Sequence, residues 1–129
     1  MRFMVIVPGN EQSEGGQLPP QDLVDRMQKF NEDMQNAGVM LWADGLYPTT
    51  HGVKIRFDDD RTTVTDGPFA ETKEVIAGFW LIETRTKEEA VEWIKRAPFG
   101  GGVEIVLRQI HENVDFERAM KEEADRQAG

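Results

Sequence analysis

Three segments of this chain are apolar at successive positions, so the strands that they predict have two apolar faces. They cover residues 3–7, 77–82 and 105–107. Successive side chains of a strand point to opposite faces of its sheet, so a strand with one solvent-exposed face alternates between apolar and polar residues. A sheet built from these segments therefore needs a cover on each face.

Two long helices are predicted, and together they cover one of those faces. In the first, over residues 20–37, the apolar side chains recur at steps of four and three: Leu23, Met27, Phe30, Met34 and Ala37. The second follows the capping residue Thr86 and ends before Pro98. We expect a second copy of the chain to cover the other face. The alternative is a monomer whose C-terminal helix, predicted from residue 113, folds over the sheet.

The predicted elements follow one another as β-α-β, a β-hairpin and again β-α-β. The strands are expected over residues 3–7, 39–46, 53–57, 61–65, 75–84 and 103–110, with a loop over residues 10–19. Without the hairpin, this is the βαββαβ order of ferredoxin-like α+β domains. The length predicts one domain over residues 1–129, in which residues 112–129 form a C-terminal helical tail.

Composition excludes several functional classes. The 24 acidic and 15 basic side chains give a net charge of −9, which disfavours nucleic acid and anionic membranes as partners. The chain has no cysteine, and neither His51 nor His111 has a partner at metal-ligand spacing, so we expect no metal or other cofactor. The apolar run after Met1 is too short for a signal peptide or a membrane helix, which predicts a cytoplasmic location.

The most distinctive string in the sequence is Asp66-Gly67-Pro68-Phe69-Ala70-Glu71-Thr72-Lys73-Glu74. By this string the chain resembles the DGPF branch of the YCII-related family. Shorter matches follow the family's order at residues 37–39, 45–46, 76–80, 88–93 and 103–105. The resemblance implies a dimeric α+β barrel, in which ferredoxin-like domains associate sheet to sheet. Since DGPF proteins are often encoded beside extracytoplasmic-function sigma factors, it also implies a regulatory setting.

Asp44 is the candidate catalytic residue. The resemblance implies an acid–base pair between a histidine on the first helix and an aspartate on the second strand, and Asp44 matches that aspartate. Asn31 lies near the position where the histidine is expected, and an amide does not exchange protons near neutral pH. In its apolar strand, Asp44 is expected to be partly desolvated, as suits a general base. The alternative is a structural aspartate that accepts backbone N–H bonds beside Gly45.

The DGPF string supplies three candidate ligand-binding residues, Asp66, Glu71 and Lys73. Asp66 begins a turn sequence, and the alternative for the whole string is a turn whose Phe69 fills a gap in the core or in an interface. Glu71 and Lys73 either form an ion pair at the rim of a pocket or are solvated.

Two further ligand-binding candidates lie on predicted strands that are consecutive in the sequence. Trp42 either lines an aromatic pocket or packs in the core or an interface. Arg56 lies with Lys54 on the basic side of the predicted hairpin, where it either binds an anion or is solvated.

Two functions are compatible with these residues. The first is a homodimer that binds a small organic acid in a cleft near Asp44 and Asp66, with cofactor-free acid–base chemistry such as isomerisation or elimination. The second is a non-catalytic dimeric accessory or regulatory module, linked to sigma-factor signalling. The missing histidine favours the second function, and the charged string after the DGPF turn favours the first.

Overall fold

The computed structural model describes residues 1–71 and 75–129. The strands in these ranges are β1 (Arg2–Pro8), β2 (Met40–Gly45), β3 (Val53–Phe57), β4 (Thr62–Asp66), β5 (Ile76–Glu83) and β6 (Val106–Gln109). The helices are α1 (Glu11–Glu14), α2 (Gln21–Asn36), α3 (Lys87–Ile94) and α4 (Asn113–Ala128), and a 3₁₀ turn covers Thr49–His51. The segment predicted to be a loop thus contains α1. This helix is capped by two reciprocal hydrogen bonds, in which the side-chain oxygens of Asn10 and Ser13 each accept from the backbone N–H of the other residue.

The main sheet is antiparallel, with the strand order β2-β5-β1-β6, and β3 and β4 form a separate hairpin. The chain crosses from β1 to β2 through α2 and from β5 to β6 through α3. This topology confirms the ferredoxin-like α+β fold with an inserted hairpin.

The hydrophobic core lies between one face of the main sheet and the helices α2 and α3. The residues that form it are Phe3, Val5, Phe30, Met34, Val39, Trp80, Ile82, Ala90 and Ile94. The Trp80 ring meets the edge of the Phe30 ring, with the centroids 5.6 Å apart. We call this side of the sheet the helix face.

The opposite side of the sheet, the outer face, is apolar and partly exposed. Cross-strand partners point to the same face, and the register pairs Met4 with Leu81 and Ile6 with both Phe79 and Val106. Met4 and Val106 are exposed. The C-terminal helix does not cover this face as the monomeric alternative requires, because α4 has no buried residue.

A β-bulge in β2 decides which of its side chains point to the helix face. The register shifts between Met40, which pairs with Ile82, and Trp42, which pairs with Leu81. Met40 and Ala43 pack against the core, so Trp42 and Asp44 lie on the outer face.

Two glycines face each other at the end of β2 and β5, where Gly45 pairs with Gly78. The pair two positions along that register, Ala43 with Trp80, belongs to the helix face, so by alternation the glycines do too. A Cβ on Gly78 would lie 2.9 Å from the Asp44 carbonyl oxygen, whereas a Cβ on Gly45 would lie 3.7 Å from the Ala77 carbonyl oxygen. The strands therefore require glycine at 78 but not at 45.

The first strand is bound to the start of α4 by an ion pair. Nε and a terminal amino group of Arg2 donate to the two carboxylate oxygens of Glu112 at 2.8 and 2.9 Å. The hydrogen bond from Arg2 lowers the pKa of the Glu112 carboxyl and raises the pKa of the guanidinium. A lowered carboxyl pKa contributes stability above the unfolded pKa, and this contribution is lost as the pH falls through the folded pKa.

Gly78→Ala should destabilise the fold by about 1–3 kcal/mol, because the new methyl group meets backbone that cannot rotate away. Gly45→Ala, on the facing residue, should change the free energy of unfolding by no more than about 0.5 kcal/mol. Urea denaturation followed by circular dichroism measures both changes. Equal effects of the two substitutions would contradict the close approach at Gly78.

Glu112→Gln should lower the urea midpoint at pH 7, where the Arg2–Glu112 ion pair is intact. The difference from the parent protein should shrink as the pH falls below about 4.3 and vanish once the pH has fallen through the lowered pKa of Glu112. Urea titrations at several pH values measure this convergence. A difference that stays constant as the solution is acidified would exclude the carboxylate as its source.

Candidate functional site

A cleft of about 360 Å³ lies between α2 and the glycine pair of β2 and β5. Its lining residues are Val7, Met27, Asn31, Ala43, Asp44, Gly45, Ala77, Gly78, Phe79, Trp80 and Phe99. We call it the edge cleft, because β2 is an edge strand of the main sheet. Gly45 and Gly78 line the cleft and, without side chains, form its floor.

Asn31 on α2 supplies a polar side chain to the edge cleft, and its orientation is determined by Trp80. The indole Nε1 of Trp80 donates to Asn31 Oδ1 at 2.8 Å. Because Oδ1 accepts from the indole, the second polar atom of the amide is the nitrogen Nδ2, which can only donate. The amide thus has an N–H donor available for a ligand oxygen.

Asp44 borders the edge cleft, but it is exposed, so the expected desolvation is not found. Its Oδ2 accepts a hydrogen bond of 2.7 Å from Trp42 Nε1, and both side chains belong to the outer face. Asn31 therefore bonds to Trp80 on the helix face, and Asp44 bonds to Trp42 on the outer face. A catalytic role for Asp44 stays a prediction.

The DGPF turn packs against the 3₁₀ turn. The N–H of Gly67 donates to the Gly52 carbonyl at 2.9 Å, and the N–H of Phe69 donates to Thr49 Oγ1 at 3.0 Å. A Cβ on Gly67 would lie 1.7 Å from the Thr49 carbonyl oxygen, so no side chain fits there. The string therefore has at least a structural role, as one of the two alternatives predicted.

Glu14 of α1 fastens the 3₁₀ turn from its other side. Its carboxylate accepts a 3.0 Å hydrogen bond from the N–H of Thr49 and another from the Thr49 hydroxyl. Thr49 is buried and thereby links α1 to the DGPF turn. Sequence reasoning missed both residues, because no local pattern indicates a bond between positions 35 apart.

A second cleft of about 320 Å³ adjoins these turns. Its lining residues are Leu46, Tyr47, Pro48, Thr49, His51, Gly52, Phe69 and Ile76. The rings of Tyr47 and His51 stack with their centroids 4.9 Å apart. The DGPF string thus contributes Phe69 to a cleft wall.

The other predicted ligand-binding residues lie elsewhere. Asp66 ends β4 opposite Val53, and Arg56 of β3 pairs with Asp58 at 3.2 Å, so both belong to the hairpin and line neither cleft. Glu71 is exposed, and Lys73 lies outside the described residues. The structure therefore brings Trp42 and Asp44 together but leaves Asp66 and Arg56 on a separate sheet.

Two further properties hold for residues 1–71 and 75–129. No group of three or more His, Cys, Asp or Glu residues is close enough to hold a metal ion. No helix in these ranges is long and apolar enough to span a membrane.

The chain is similar to a solved structure, the 5-chloro-2-hydroxyhydroquinone dehydrochlorinase of Burkholderia phenoliruptrix AC1100 in complex with 2,5-dihydroxybenzoquinone. The two chains are 12% identical, with a TM-score of 0.44 over 89% of this chain and 99% of the other. At this distance the similarity supports no inference about the site.

Closer sequence similarity is found with an uncharacterised protein of Rhizobium meliloti (strain 1021). The two are 44% identical over 50 residues, which are 39% of this chain and 40% of that protein, so the match spans less than half of the relative. The YCII-related domain family matches residues 1–112. Since this match covers most of the chain, the protein belongs to the YCII-related family.

Proposed function

We propose that this protein binds a small, flat, mainly apolar organic molecule in the edge cleft. The observation that carries the proposal is a cleft of about 360 Å³ that combines apolar walls with the amide of Asn31. Sites for small molecules typically have this composition, in which a few polar groups orient a ligand that apolar walls bury. The DGPF turn lies at the neighbouring cleft and maintains the loop that follows β2.

The cleft favours a neutral ligand that carries an oxygen acceptor. None of the described residues that line it is Lys or Arg, and the whole chain has a net charge of −9. A carboxylate would lose its hydration there without gaining a cation. A carbonyl or ether oxygen, in contrast, can accept a hydrogen bond from the free N–H of Asn31.

Binding is better supported than turnover. Asp44 is the titratable side chain among the described residues that line the cleft, but strand alternation places its carboxylate on the outer face. Proton transfer requires the base within hydrogen-bonding distance of the reacting atom. A catalytic role for Asp44 would therefore require a ligand that extends around the edge of β2.

Coumarin and indole are suitable probes, because both are flat, neutral and bicyclic, and their polar groups are an acceptor and a donor respectively. Saturation-transfer NMR and calorimetry should show that the parent protein prefers coumarin. In Asn31→Asp, an oxygen still accepts from Trp80, but the N–H donor is gone. The affinity for coumarin should fall by about tenfold or more, as for one lost hydrogen bond in a desolvated site, and the preference should move towards indole.

Asp44→Asn is the matched control, because it makes the reverse exchange, from carboxylate to amide, on the other face of the sheet. Its affinity for coumarin should equal that of the parent protein. A large loss in a variant that remains folded would place the carboxylate in the site and favour the acid–base function. Absence of binding by either probe at millimolar concentration would contradict the proposed function.

We also propose that two copies of the chain associate through the outer face. Trp42, Met4 and Val106 are exposed there, and the apolar residues Leu81, Phe79 and Ile6 lie between them, only partly buried. A contiguous apolar surface on a sheet is typical of an interface. Both of the functions considered from the sequence include such a dimer. A ligand-binding measurement can therefore distinguish between the two functions, whereas a measurement of association cannot.

Val106→Lys should convert the dimer to a monomer, because it introduces a charge into the proposed interface. Val103→Lys is the control, since Val103 is exposed to 45% and Val106 to 48%, but Val103 lies outside the sheet. Sedimentation velocity at micromolar concentration gives the mass of each variant. A parent protein that sediments as a monomer would overturn the proposed dimer.

A further inference from the structure

Gly45, at the end of β2, is a glycine that the backbone does not require. Its φ lies outside the left-handed region, unlike that of Gly16 or Gly38. Among the described atoms, the nearest to a Cβ on Gly45, apart from its chain neighbours, would be the Ala77 carbonyl oxygen at 3.7 Å, an ordinary van der Waals distance. Glycine weakens a strand, because it has no side chain to pack and loses much conformational freedom on folding. Strand geometry therefore gives no reason for glycine at this position.

A side chain at position 45 would enter the edge cleft. Gly45 shares the helix face with Ala43 and Trp80, and it lines the cleft together with Met27 and Asn31 of the facing helix. The side chains of Ala43 and Trp80 pack against and within the core. Gly45, in contrast, lines open space. The missing side chain therefore affects the shape of the cleft and not the packing of the core.

The two glycines of the cleft floor lie at different depths. In the main sheet, β2 is an edge strand, whereas β5 has a neighbouring strand on each side. Accordingly, Gly45 is exposed and Gly78 is buried. Gly45 therefore lies at the mouth of the edge cleft, and Gly78 lies further in. A side chain at position 45 would narrow the mouth and leave the inner end of the cleft unchanged.

The polar group that orients a ligand and the open mouth belong to different walls of the cleft. Asn31 lies on α2, and its Oδ1 accepts from Trp80 Nε1 at 2.8 Å, which leaves an N–H of Nδ2 to donate to a ligand. Gly45 lies on the sheet side, at the edge strand. One contact can therefore hold a ligand in the cleft while the size of the mouth limits how far the ligand extends.

We propose that Gly45 is a specificity-determining residue, through which the edge cleft selects flat molecules of two fused rings over molecules of one ring. The ring that carries the acceptor oxygen bonds to Asn31, and the second ring lies at the mouth, over Gly45. A ligand of one ring occupies only the inner part of the cleft, so residue 45 has little effect on it. This inference rests on the proposed function and names the class of ligand for the same site.

Coumarin and 2-pyranone test this selection, because 2-pyranone is the lactone ring of coumarin without the fused benzene ring. Both offer the same carbonyl acceptor to Asn31. Gly45→Val introduces a β-branched side chain, a type that strands accommodate well. Its affinity for coumarin should fall by about tenfold or more, as for excess methyl groups in an apolar pocket, and its affinity for 2-pyranone should change by less than about threefold. Titrations followed by NMR measure both affinities.

Gly100→Val is the matched control, because it adds the same side chain at an exposed glycine outside both clefts. No described atom lies within 4 Å of the place that a Cβ on Gly100 would occupy. This variant should bind both ligands as the parent protein does. Gly45→Ala repeats the test with a single added carbon, and its affinity for coumarin should fall by a smaller factor than that of Gly45→Val. Urea denaturation shows whether each variant is folded.

Equal losses for the two ligands, or an unchanged affinity for coumarin in the folded Gly45 variants, would overturn the role of Gly45. A strongly destabilised Gly45→Ala would overturn it as well, because the fold itself would then require the glycine. If coumarin binding by the parent protein depends on Asn31 as expected, these results contradict the size selection alone. A parent protein that binds neither coumarin nor 2-pyranone at millimolar concentration would contradict the proposed function, and this inference with it.

Discussion

The hydrogen bond between Trp80 and Asn31 joins the core of this protein to its candidate site. Trp80 lies in the middle of the sheet, where its ring meets Phe30 on one side and Phe99 on another. A buried indole needs an acceptor for its N–H, since leaving a polar group unpaired in the core is costly. The amide oxygen of Asn31 accepts from the indole, and Asn31 also lines the edge cleft. Packing of the core and, in the proposed function, orientation of a ligand thus depend on the same side chain.

This bond also gives a physical reason for an asparagine where the resemblance implies a histidine. An imidazole that accepted from Trp80 with one nitrogen would have to carry its proton on the other, so it could also donate to a ligand. Asparagine likewise offers one acceptor and one donor, but it cannot exchange a proton near neutral pH. The substitution therefore changes the chemistry of the site while leaving its hydrogen-bonding pattern intact.

Local pattern predicted the fold well, because the elements follow periodicities that the sequence displays directly. The spacing of Met27, Phe30 and Met34 indicates a helix with one apolar side, and the doubly apolar strands indicate a sheet with two apolar faces. The site was harder to predict, because it depends on pairings between distant residues. The floor of the cleft arises only when Gly45 meets Gly78, and the DGPF turn is held by Thr49 and Glu14, which are distant from it in sequence. Even the position of Asp44 depends on the bulge in β2, which reverses the alternation that the strand would otherwise follow.

The bulge has a consequence for how such a site can change. With Met40 on the helix face, an unbroken strand would turn residues 42 and 44 towards α2. A register in which Leu41 took the regular place opposite Leu81 would therefore exchange the two sides of the rest of β2, carry the carboxylate of Asp44 towards Asn31 and bury the indole that now accompanies it. A pair of facing polar side chains can thus be assembled or separated by a one-residue shift in the register of β2, without the replacement of either residue.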